Sequence, residues 1–109
     1  MIPPTKSYHV RNRVNPRIVC RDGVSLSVQF GEDACCEPQI DQDCPWQDYD
    51  SVEVGYICDE NNKFILPPDH WGSYRHNDKV MIWECVPVIF VEAFIDEHGG
   101  EVRTTQQQP

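Results

Sequence analysis

Long apolar segments and the common catalytic or metal-binding motifs are absent from this sequence. No stretch reaches the about 18 consecutive apolar residues that a membrane-spanning helix needs, so we expect no contact with a membrane. Residues 1–10 contain no apolar core of signal-peptide length, which favours a reducing cytosol over secretion. The patterns C-x-x-C and H-E-x-x-H, a glycine-rich phosphate loop and a nucleophile elbow do not occur. We therefore expect a protein that is not an enzyme.

Basic residues are scarce and unevenly placed. The 109 residues include 18 Asp and Glu but only 9 Lys and Arg, for a net charge of −9. Such a balance disfavours direct nucleic-acid binding, which relies on Lys and Arg at the phosphates. Residues 1–31 hold five bases and one acid, whereas residues 32–60 hold no base and ten acids. The ten are Glu32, Asp33, Glu37, Asp41, Asp43, Asp48, Asp50, Glu53, Asp59 and Glu60.

Three segments have the pattern of β-strands. Apolar and polar residues alternate strictly over Val24–Phe30, after an Asp22-Gly23 turn signal, which predicts a hairpin over residues 17–30. Ser51–Cys58 alternates again, and Val80–Val86 is typical of a buried strand. In the second of these segments the alternation places four side chains on one face: Val52, Val54, Tyr56 and Cys58.

One segment has the pattern of a helix. Apolar residues recur at helical spacing after Pro87, and Gly99-Gly100 supplies a stop, which predicts a helix over residues 87–98. The sequence thus predicts an α+β fold, a small antiparallel sheet of about four strands with one C-terminal helix packed across a face. An extended arm (1–16) precedes the single domain (17–103), and a flexible tail (104–109) follows it. Residues Glu101–Thr104 are a candidate edge strand.

The six cysteines divide into two groups. Cys20, Cys58 and Cys85 lie in strand-like runs and are expected to be small buried apolar residues. Cys35, Cys36 and Cys44 lie in the predicted loop 31–49 and are candidates for a metal site, with zinc as the metal, or for a disulfide. Their spacing matches no standard zinc pattern, so no cofactor is the first expectation.

The acidic region between residues 32 and 60 is the candidate binding surface. Carboxylates on a loop and a strand can imitate a nucleic-acid backbone and occupy the basic groove of a protein that handles nucleic acid. Solvation of a small soluble protein is the alternative role for these charges. The predicted contact residues are Asp41, Asp43, Trp46, Asp48, Tyr49, Asp50 and Glu53, with the two aromatic residues as anchors.

A second candidate patch lies further along the chain. Trp71 and Tyr74, with His70 and His76, form a second predicted contact surface, whereas Trp83 is expected in the core.

Five short strings occur in a specific order along the chain. They are Ile18–Gln29 (IVCRDGVSLSVQ), Cys36-Glu37-Pro38, Val52–Tyr56 (VEVGY), Val86-Pro87-Val88 and His98-Gly99-Gly100. In this order they resemble small proteins encoded by phages and prophages, a group without an assigned biochemical activity. The resemblance covers roughly residues 17–100, and the order of its pieces is the specific part. The resemblance implies a phage or mobile-element origin and a host-cell cytoplasmic setting, and it transfers no catalytic residue. The longer N-terminal arm and the extra Cys35, Cys44 and Cys58 depart from the group.

Charge and resemblance together favour one function over two alternatives. We expect an inhibitor of a host nucleic-acid-handling defence protein, of the anti-CRISPR or anti-restriction type, that binds its partner by nucleic-acid mimicry. One alternative is a virion or morphogenesis component that self-associates through the Arg-rich N-terminal arm. The other is a zinc-stabilised interaction module built on Cys35, Cys36 and Cys44.

Overall fold

The computed structural model describes residues 15–102, and these residues form one four-stranded antiparallel sheet and one α-helix. Neighbouring strands in the sheet are also consecutive in the chain, in the order β1-β2-β3-β4. The elements are β1 (Ile18–Val19), β2 (Ser25–Gln29), β3 (Ser51–Cys58), β4 (Ile82–Pro87) and α1 (Val88–Glu97). The structure therefore confirms the predicted α+β architecture.

The first hairpin forms as the alternation predicts. Cys20 N–H donates to the Val24 carbonyl over 2.7 Å and closes the turn, in which Gly23 adopts a φ of +97°. A left-handed φ favours glycine because other residues place their Cβ against the backbone there. Beyond the turn, Leu26 and Val28 are buried. The polar residues that alternate with them, Ser25, Ser27 and Gln29, are half-buried on the opposite face of β2.

Strand β3 follows its predicted alternation only as far as Gly55. Val52 and Val54 are buried, but the prediction that Tyr56 shares their face is wrong, since Tyr56 is 44% exposed. Tyr56 adopts a φ of +51°, which interrupts the pleat and leaves Ile57 in the core instead. Its N–H donates to the Met81 carbonyl just before β4, over 2.8 Å.

Strand β4 begins at Ile82, two residues later than predicted, because residues 77–80 form a turn. It contains a bulge, where Glu84 and Cys85 together lie opposite Glu53 of β3. Cys85 has a φ of +55° and is half-exposed, so its predicted burial is wrong. Cys20 and Cys58 are buried as predicted.

Helix α1 packs its apolar face against the core. Val91 and Phe94 are buried within it, and the Phe94 ring lies 5.6 Å from the Trp71 ring. Trp71 is fully buried, so its predicted role in a contact patch is wrong, whereas Trp83 lies in the core as expected. After α1, Gly99 adopts a φ of +95° and ends the helix as predicted.

The chain segments that flank the sheet are described in part. Of the predicted arm, Asn15 and Pro16 belong to the described residues, and Asn15 N–H donates to Gln29 Oε1 over 2.8 Å. Of the predicted edge strand, Glu101 pairs with Cys20, and Val102 N–H donates to the Val19 carbonyl over 2.8 Å. The remainder of the arm, the rest of that strand and the tail lie outside the described residues.

Candidate functional site

Residues 31–50, which we call the acidic loop, are held to the sheet by a buried tyrosine. Tyr49 is 3% exposed, and its ring lies 5.3 Å from that of Phe30. The Tyr49 hydroxyl donates to the Ile40 carbonyl over 2.8 Å and accepts from Gln42 N–H over 3.2 Å. Tyr49 therefore fixes the loop from within, and its predicted role as an interface anchor is corrected to a structural one.

The loop is also tied to the first residues of β3. Glu37 N–H donates to the Ser51 carbonyl over 3.1 Å, and Ser51 Oγ donates to Glu37 Oε1 over 2.9 Å. At its start, Gly31 adopts a φ of +115°, and Asp41 Oδ1 accepts from Glu32 N–H over 2.9 Å. These contacts hold a loop without strands or an α-helix in one defined shape.

The predicted acidic contact residues are accessible to a partner. The side chains of Asp41, Asp43, Asp48 and Asp50 are exposed, and within residues 15–102 none of them forms a salt bridge with a lysine or arginine. Glu53 is half-buried, and its Oε1 accepts from Cys35 N–H over 2.9 Å. The surface charge of the four aspartates is thus not neutralised by a basic side chain of the described chain.

The thiols show that carboxylates from separate elements lie close together. Burial, and after it the charges of Asp48 and Asp43, raise the pKa of Cys44. Burial also raises the pKa of Cys85, and Glu37, Glu84 and Glu53 add to the increase. Burial, and after it the charges of Cys85, Glu53 and Asp41, raises the pKa of Cys36. Cys36 and Cys44 in turn both act on the pKa of Tyr49, and Asp50 N–H donates to the Glu37 carbonyl over 2.8 Å, so the two groups of carboxylates are neighbours. We call the combined set the acidic face: Glu37, Asp41, Asp43, Asp48, Asp50, Glu53 and Glu84.

Glu84 belongs to this face although the sequence analysis missed it. It lies in β4, beyond the acid-rich region, and its Oε2 is 3.3 Å from Cys35 Sγ and 3.0 Å from His76 Nδ1. The β4 bulge that places Glu84 beside the loop leaves no local signal in the sequence.

Four of the ten acids between residues 32 and 60 are outside the set that we call the acidic face: Glu32, Asp33, Asp59 and Glu60. Asp59 and Glu60 have separate structural contacts. Glu60 packs against Gly23, at the end of the sheet opposite Glu53. Asp59 Oδ1 accepts the N–H groups of Asn61 and Lys63, which lowers the pKa of Asp59. Asp59 therefore stabilises a turn, and the charge asymmetry of the sequence is only partly preserved in three dimensions.

Apolar side chains lie among these charges. Trp46 begins a 3₁₀ turn over Trp46–Asp48, is half-buried and packs against the core. Ile40 is 51% exposed. The loop thus presents one aromatic and one aliphatic side chain among its carboxylates.

The candidate metal ligands each have their own hydrogen-bond partner. Cys36 Sγ is 3.3 Å from the Gly31 and Pro38 carbonyls, and Cys44 Sγ accepts from Gln42 Nε2 over 3.6 Å. Within residues 15–102, no three His, Cys, Asp or Glu side chains are arranged to hold a metal ion. The zinc site remains a prediction, which metal analysis of protein purified without chelator can check.

The thiol of Cys35 lies in surroundings that disfavour its ionised form. Burial, and after it the hydrogen bond and charge of Glu84, raises the pKa of Cys35 to about 11. The thiolate is the reactive form of cysteine, so a raised pKa lowers its reactivity. Burial and the neighbouring carboxylate of Glu84 therefore disfavour the thiolate of Cys35.

No helix within the described residues is long and apolar enough to cross a lipid bilayer. Comparisons with protein-family models, with curated proteins and with solved structures find no match to the chain.

Proposed function

We propose that this protein binds a basic protein surface through its acidic face and acts without catalysing a reaction. One observation carries the proposal: carboxylates from the loop, β3 and β4 gather at one end of the sheet, and the four loop aspartates form no salt bridge with a lysine or arginine of residues 15–102. An unneutralised cluster of one sign attracts a partner of the opposite sign and speeds association.

The shape of the acidic loop suits this role. Tyr49 and the Glu37–Ser51 contacts hold the loop before any partner arrives. A preorganised surface loses less conformational entropy on binding than a flexible one. Trp46 and Ile40 add apolar contact area between the charges.

The partner that we propose is a host defence protein with a basic nucleic-acid-binding groove. Carboxylates can replace phosphates in such a groove, and the resemblance to phage-encoded proteins supports a target in the host cytoplasm. The protein then acts as an inhibitor, because nucleic acid and the acidic face compete for the same groove.

Capture followed by competition tests this proposal. The immobilised full chain is exposed to host lysate, the retained protein is identified and purified, and duplex DNA is added to the isolated complex. We expect DNA to displace the partner and added salt to weaken the complex, because screening shortens the range of charge interactions. A partner that DNA does not displace, or a complex insensitive to salt, contradicts mimicry.

A further inference from the structure

Three thiols lie where the acidic loop meets the edge of β4. Cys85 N–H donates to the Cys35 carbonyl over 3.0 Å. Burial is the largest cause that raises the pKa values of Cys35 and Cys36, and the charge of Cys85 raises both further. Cys85 is therefore within electrostatic reach of both neighbours.

The bulge in β4 creates this arrangement. Because Glu84 and Cys85 share one partner in β3, the regular ladder is interrupted at Cys85. The φ of +55° at Cys85 accompanies a backbone N–H that bonds to the loop rather than to β3. A non-glycine residue rarely adopts this conformation. At Cys85, β4 is therefore not paired regularly with β3, and this is the residue that contacts Cys35.

The backbone geometry fits a disulfide between Cys35 and Cys85. The single N–H···O=C bond joins the two backbones directly, and standard bond lengths then limit the Cα–Cα separation to roughly 5–6 Å, within the roughly 4.4–6.8 Å that a disulfide spans. Both residues are half-exposed, so a small oxidant can reach them. Cys36 is buried, so an oxidant reaches it less readily than Cys35 or Cys85.

We propose that Cys35 and Cys85 form a reversible disulfide in the presence of a low-molecular-weight disulfide such as oxidised glutathione. One protein thiolate attacks the glutathione disulfide, forms a mixed disulfide and releases one glutathione thiolate. The second protein thiolate attacks the protein sulfur of the mixed disulfide and releases the second glutathione. The protein loses two electrons and two protons, and the glutathione disulfide is reduced to two thiols.

The crosslink would anchor the acidic loop covalently to β4. It needs no particular partner for the loop, so it stands apart from the proposed function. Because thiol–disulfide exchange requires a thiolate, the raised pKa values make the reaction slow at neutral pH and faster as the pH rises. Once formed, the crosslink restricts the unfolded chain, and the melting temperature is expected to rise.

Tryptic peptide mapping tests the proposal directly. Trypsin leaves Cys85 as the lone cysteine of residues 80–103, whereas residues 22–63 carry Cys35, Cys36, Cys44 and Cys58. The full chain is oxidised with glutathione disulfide at about pH 8.5, and the remaining thiols are alkylated before digestion without reductant. We expect the two peptides to be joined, with fragment ions that place the bond at Cys35.

Variants and an unfolded control make the result decisive. Cys35→Ser should lose the crosslink, whereas Cys44→Ser, the matched control in the same loop, should keep it. Protein unfolded in guanidinium should give a mixture of pairings that the folded chain does not. A bond at Cys36, a crosslink that survives in Cys35→Ser, or the same mixture from folded and unfolded protein overturns the proposal.

Discussion

His98 Nδ1 lies 2.6 Å from Asp22 Oδ2, which joins the C-terminal end of α1 to the turn between β1 and β2. The backbone adds a second link, because Asp22 N–H donates to the His98 carbonyl over 3.2 Å. These two contacts connect residues that are distant in sequence and hold the helix against the far end of the sheet from the acidic face.

Acid should weaken this connection. The Val24 N–H, and after it the His98 ring, donate to the Asp22 carboxylate and lower its pKa. A carboxyl group with a lowered pKa in the folded state stabilises the fold above its unfolded value, about 4, and this stability is lost as the pH falls through the folded pKa. We expect Asp22→Asn to flatten the fall in the free energy of unfolding below about pH 4, measured by urea denaturation at several pH values. An unchanged pH profile in the variant would show that Asp22 has no such role.

The conformation of the acidic loop should depend on Gly31, the glycine at its start. A Cβ at Gly31 would lie 2.6 Å from Asp41 Oδ1, and the residue has a φ of +115°. We expect Gly31→Ala to lower the free energy of unfolding by at least about 1 kcal/mol, because left-handed backbone costs other residues about that much. Gly72→Ala is the matched control, since nothing lies within 4 Å of its added methyl group. Equal stability losses in thermal denaturation of the two variants would contradict this account.

The Tyr49 hydroxyl should make a measurable contribution to the free energy of unfolding. Tyr49→Phe keeps the buried ring but leaves the Ile40 carbonyl and the Gln42 N–H without their partner. We expect a loss of about 1–2 kcal/mol in the free energy of unfolding and faster hydrogen exchange at the Gln42 amide. If that amide exchanges at the same rate in both proteins, the hydroxyl does not hold the loop.

Two tryptophans should respond in opposite ways. Trp71 is fully buried, so Trp71→Ala should destabilise the fold by about 3–5 kcal/mol. Trp46 is half-buried beside the loop carboxylates, so Trp46→Ala should cost less stability and instead weaken binding of the isolated partner. Chemical denaturation and affinity measurement on both variants separate the two roles, and a larger stability loss for Trp46→Ala would reverse this assignment.

The sequence predicted the regular elements because their signals are local. Alternation over Val24–Phe30 and helical spacing after Pro87 depend on residues close in the chain, and both elements form as predicted. The departures arise where β3 and β4 meet. The positive φ values at Tyr56 and Cys85 depend on the pairing of two strands about 30 residues apart, which no local pattern encodes.

The sequence predicted the charged residues of the candidate surface but not the positions of its aromatic residues. A run of carboxylates is visible in the sequence, and the exposure of Asp43 and Asp48 follows from it. The local sequence does not indicate whether an aromatic residue in a polar loop packs against the core or is exposed to solvent. Tyr49 is buried because the acidic loop folds back onto the core, and Trp71 is buried because a second 3₁₀ helix, Asp69–Tyr74, does the same. Glu84 lies beside the loop through another tertiary effect, the bulge in β4.

The affinity of charge-reversed variants for the isolated partner tests the central claim most directly. Reversal of Asp43, Asp48 and Asp50 to Lys changes the acidic face and spares Asp41, whose carboxylate holds the loop. In the control variant, three exposed acids of α1 are changed to Lys: Glu92, Asp96 and Glu97. The control therefore changes the net charge by the same amount. We predict that the first variant keeps its circular dichroism spectrum and binds the partner roughly 100-fold more weakly, because like charges then face each other, while the control loses far less affinity. Equal losses in the two variants, or unchanged affinity in the first, would contradict the claim that the acidic face is the binding surface.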